Sequence, residues 1–69
     1  MIEIFKTNVQ TITESVAVME HLSRQFPNYS INFDLEDCDR ILRIEADEVV
    51  CGTVLECVSK LGFTCIALE

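Results

Sequence analysis

The sequence predicts an α+β sandwich of ferredoxin-like type, with elements in the order β-α-β-β-α-β forming one four-stranded antiparallel sheet with two helices on one face. Three observations carry this expectation. Apolar and polar residues alternate with period 2 near the N-terminus, at 31–36 and at 41–45, as in strands covered on one side. Apolar residues recur at three- and four-residue steps over 15–26 and 50–61, as on amphipathic helices. A length of 69 residues allows a single compact domain and leaves no room for a second.

The first strand spans Met1 to Thr7, where Ile2 and Ile4 alternate with Glu3 and Phe5 falls on the second side. Thr11-Ile12-Thr13-Glu14 has the form of a capping box, in which the Thr11 hydroxyl satisfies a backbone N–H three residues on and Glu14 reaches back. The helix that follows carries Ser15, Val18, Met19, Leu22 and Phe26 on one stripe, with Glu20, Ser23 and Arg24 opposite. Pro27 closes it, because a proline disfavours α geometry at Phe26 and has no backbone N–H to donate. From Ser30, Ile31, Phe33 and Leu35 alternate with Asn32, Asp34 and Glu36. Glu36-Asp37-Cys38-Asp39 reads as a polar turn, and Ile41 to Glu45 resumes the alternation with Leu42 and Ile44 inward, which makes an antiparallel hairpin. Ala46-Asp47-Glu48 leads into the second helix, striped by Val50, Val54, Leu55, Val58 and Leu61, and Gly62 stands where a left-handed C-cap favours glycine. Thr64 to Leu68 is a short last strand with Ile66 and Leu68 on one side and Cys65 and Ala67 on the other.

Packed in this order, the expected core is Ile2, Ile4, Ile66 and Leu68 with the strand residues Ile31, Phe33, Leu35, Leu42 and Ile44, set against Val18, Met19, Leu22, Phe26, Val54, Leu55, Val58 and Leu61. The open sheet face is then expected to show Glu3, Phe5, Asn32, Asp34, Arg43, Glu45, Cys65 and Ala67. Phe5, Cys65 and Ala67 would form a small apolar patch there, the candidate surface for a homodimer or a protein partner.

Twelve acidic residues against five basic give a formal charge of -7. That sign opposes binding to phosphate backbones and to anionic membranes, so no nucleic-acid partner is expected. No apolar run nears the roughly 20 residues of a membrane span. Met1 is followed by Ile2 and Glu3 rather than by a basic stretch and an apolar segment, so a soluble, cytoplasmic chain without membrane insertion is expected.

Cys38, Cys51, Cys57 and Cys65 are spaced by 13, 6 and 8 residues, none of them the CxxC of a redox or metal knuckle. Reduced thiols are expected. Cys57 lies near the stripe of the second helix, as a small hydrophobe would. Cys38 falls in the acidic turn, where its neighbours raise its pKa. Cys51 falls in the first turn of the second helix, where the helix dipole favours a thiolate and Asp47 and Glu48 oppose it. Cys51 and Cys65 are the candidates for holding a soft ion, Cu(I) or Zn²⁺, and no other cofactor is expected. His21 is the single histidine and reads as a surface imidazole. The acidic residues around the hairpin ends lack the ordered spacing and sharp-turn glycine of a Ca²⁺ loop. Phosphate-cradling and nucleophile motifs are absent from the sequence, and with no nucleophile, base and orienter to converge, a non-catalytic role is expected.

The element order, with Phe33-Asp34-Leu35-Glu36 running into a hairpin and Leu61-Gly62-Phe63 leading into the last strand, resembles the heavy-metal-associated domain of copper chaperones and metal-transporting ATPases over nearly the whole chain. In that family the loop after the first strand carries Met-x-Cys-x-x-Cys, whose two thiolates bind a soft ion close to a lysine, tyrosine or phenylalanine from the second helix–strand loop. The register that matches the helix stripes puts Val9 at the Met, Thr11 at the first Cys, Glu14 at the second and Phe63 at the aromatic position. A hydroxyl and a carboxylate do not replace paired thiolates toward Cu(I), which prefers sulfur. The resemblance therefore implies the scaffold, and an interaction or accessory role in place of metal transfer. Two alternatives stand beside it: metal binding or trafficking through Cys51 and Cys65, and a small-ligand regulatory domain, which the absence of a glycine from Thr7-Asn8-Val9-Gln10 disfavours.

Overall fold

A computed structural model describes residues 1–35 and 40–68. The elements are β1 (Ile2–Thr7), α1 (Ile12–Gln25), β2 (Ser30–Asp34), β3 (Ile41–Glu45), α2 (Cys51–Lys60) and β4 (Cys65–Leu68). The strands form one antiparallel sheet in the order β2-β3-β1-β4, and with the two helices they make the α+β ferredoxin-like sandwich that the alternation predicts.

Local chemistry sets the helix ends. The Thr11 hydroxyl accepts from the Glu14 N–H at 3.1 Å, and the Glu14 carboxylate accepts from the Thr11 N–H at 3.1 Å, closing the capping box. α1 stops at Gln25, two residues before Pro27, with Phe26 as its cap. At the start of α2, Val50 offers no capping side chain, and its own N–H donates instead to the Tyr29 hydroxyl at 2.9 Å. α2 ends in a Schellman motif: the Phe63 N–H reaches the Val58 carbonyl at 3.3 Å and the Gly62 N–H reaches that of Ser59 at 3.0 Å. Gly62 sits at φ 92°, a left-handed conformation that costs a glycine little.

The core lies between the helices and one face of the sheet. Phe5, Leu42 and Ile44 from the strands meet Val18, Leu22, Val54 and Val58 from the helices, all fully buried, together with Val9 from the loop after β1. Phe26, Ile31, Phe33, Leu35, Leu55 and Leu61 pack half-buried around them, and Met19 is half-buried on α1.

β1 and β4 face the opposite way from the sequence expectation. Phe5 is fully buried, whereas Ile2 is 48%, Ile66 58% and Leu68 37% exposed. The register gives the reason, because residues directly opposite on antiparallel strands share a face. Phe5 opposes Leu42 and Glu3 opposes Ile44, while Ala67 opposes Phe5 and Cys65 opposes Thr7. Leu42 and Ile44 turn inward, so Glu3, Phe5, Thr7, Cys65 and Ala67 turn inward with them, and the patch expected from Phe5, Cys65 and Ala67 on the open face does not form. Ile2, Ile4, Ile66 and Leu68 join Arg43 and Glu45 on the outer side.

Candidate functional site

Val9, Thr11, Glu14 and Phe63, the positions the sequence register sets against the heavy-metal-associated motif, carry structural roles. Val9 is fully buried in the core. Its N–H donates to the Thr7 hydroxyl at 3.3 Å, and that hydroxyl donates to the Arg40 carbonyl at 2.7 Å. Thr11 is the helix cap, and the Glu14 carboxylate accepts from Gln10 N–H at 3.0 Å as well as from Thr11. The loop is tied to the segment before β4 by Asn8, whose side-chain oxygen accepts from the Thr64 N–H at 2.7 Å. Phe63, at the aromatic position, packs half-buried against the core as the last residue of the Schellman motif.

Arg40 completes this end of the molecule and had no signal in the sequence. It holds φ 50°, the left-handed region that non-glycine residues seldom enter. Its guanidinium donates to the Leu35 carbonyl at 3.0 Å and to that of Gln10 at 3.4 Å, while its own carbonyl accepts from both the N–H and the hydroxyl of Thr7. The residue therefore clasps the hairpin to the loop after β1. Cys38 and its acidic turn lie outside the described residues.

Cys51 and Cys65 stand on the covered side of the sheet, both half-buried and both free thiols, and Cys57 is buried in the core. Burial pushes the Cys51 thiol up, and the Glu3 carboxylate pushes it further through its charge and by accepting a hydrogen bond from it; only the Cys51 backbone N–H favours the thiolate. The anion that opposes a reactive Cys51 is thus Glu3, on a strand 48 residues away, in place of the neighbouring Asp47 and Glu48. Cys65 is raised from an ordinary 9.0 to about 11, first by burial and then by the charge of Cys51. The fold thus brings these two thiols and Glu3 into one neighbourhood. Among the described residues no three His, Cys, Asp or Glu side chains make a group that could hold a metal ion.

The open face of the sheet is the other feature. Ile2 and Ile4 of β1 run beside Ile66 and Leu68 of β4, with Leu68 directly opposite Ile4. Ile41, half-buried, shares this face on β3, with the exposed Lys6 of β1 standing between it and Ile66. Ser30, Asn32, Asp34, Arg43 and Glu45 make the remaining half polar. A cleft of about 490 Å³ opens between Met1, Tyr29 and Ala46, and the carboxylates on its rim, Glu45, Asp47 and Glu48, are all exposed to water. Among the described residues no helix is long and apolar enough to cross a membrane.

No protein-family model matches this chain, and no curated protein sequence matches it.

Proposed function

We propose that this chain is a non-catalytic interaction or accessory module, a scaffold similar to the heavy-metal-associated domain that works through a protein surface in place of a paired-thiolate site. The observation that carries the reading is the apolar strip on the open sheet face, where Ile2, Ile66 and Leu68 meet solvent beside Ile4. Single exposed apolar residues are ordinary, but a contiguous strip with a polar border marks a contact surface. The capping box supports the same reading, since the polar side-chain atoms of Thr11 and Glu14 are engaged with backbone N–H groups of the loop and of the first turn of α1.

A second reading, in which Cys51 and Cys65 hold Cu(I) or Zn²⁺, draws on the nearness of the two thiols. Both must lose protons to ligate, and burial and Glu3 work against that. Anaerobic titration of the reduced protein with Cu(I) and with Zn²⁺ against a competing chelator, read by native mass spectrometry, separates the two. The module reading expects no stoichiometric tight binding. Tight binding that is lost in the double variant Cys51→Ser, Cys65→Ser establishes the metal reading in its place.

A further inference from the structure

We draw no further inference here: the strongest candidate, the cleft of about 490 Å³ beside Tyr29, rests on a cluster of water-exposed carboxylates, Glu45, Asp47 and Glu48, and among the described residues no buried, unpartnered polar side chain points to a ligand for it.

Discussion

Phe5 and Ile2 stand on the same strand, yet Phe5 is fully buried beneath the helices while Ile2 keeps 48% of its surface in solvent. The same contrast runs through β4, where Cys65 packs against the core and Ile66 is 58% exposed. Hydrophobicity does not separate these residues; what covers them does. The covered face is filled by Val18, Leu22, Val54 and Val58 and holds the chain together, whereas the open face leaves Ile2, Ile66 and Leu68 in solvent. The division implies that substitutions on the two faces act on different quantities.

Phe5→Ala gives the largest effect. Removing a fully buried ring from between Leu42 and Ala67 costs about 3–5 kcal/mol, from lost transfer energy and from the cavity left behind. A domain this small holds only a few kcal/mol in reserve. The variant is expected to lose its cooperative urea transition at 25 °C, and retention of a wild-type midpoint would break the comparison between the faces.

The half-buried thiol of Cys65 comes next. Its pKa is about 11 in the folded chain against 9.0 for the free group, so the folded state holds the proton more tightly than the unfolded state does. The contribution is fully present below pH 9, and it is lost as pH rises from about 9 toward 11. Cys65→Ala removes the group, and lysine and tyrosine titrations common to both proteins cancel when their pH–stability curves are subtracted. The wild type is expected to lose more stability than Cys65→Ala across that window. Parallel curves would show that Cys65 is solvated.

These residues also show what the sequence discloses and what it withholds. The capping box of α1 was legible because Thr11 and Glu14 are three residues apart and their chemistry is local. The inward side of β3 was legible because Arg43 and Glu45 occupy its other side and outweigh Ile41 there, leaving Leu42 and Ile44 to face the core. β1 is different: Ile2 and Ile4 on one side and Phe5 on the other are all apolar, so alternation marks a strand without choosing its face. β4 has four residues, and its small inward pair, Cys65 and Ala67, is less hydrophobic in bulk than its outward pair, Ile66 and Leu68. Its side is dictated by pairing with β1, a partner 58 to 64 residues away in register. An apolar patch on the open face was therefore expected with the wrong members. At the thiols, Asp47 and Glu48 were the acids close in sequence, and Glu3 was the one close in space. The Thr7–Arg40 clasp spans 33 residues and gave no sign, since a threonine and an arginine are equally at home in solvent.

Thr11→Ala tests a smaller step. If Thr11 is a cap and nothing more, its loss costs about 1 kcal/mol, seen as a lower urea midpoint with an unchanged slope, and leaves metal affinity as it was. A change in Cu(I) affinity on this substitution would return the loop after β1 to the metal readings.

Ile66→Glu carries the smallest effect on folding and the sharpest test of the contrast. Its side chain is 58% exposed, so the monomer is expected to keep its stability to within about 0.5 kcal/mol. A protein partner that covers the strip stabilises the folded state by mass action, so the wild-type melting temperature should climb as such a partner is added. The variant should melt at one temperature throughout. Without a partner the two proteins converge, because nothing then covers the strip and Ile66 contributes as little as a glutamate in its place. If they differ by several kcal/mol when alone, Ile66 belongs to the folding core and the open face is a second covered one.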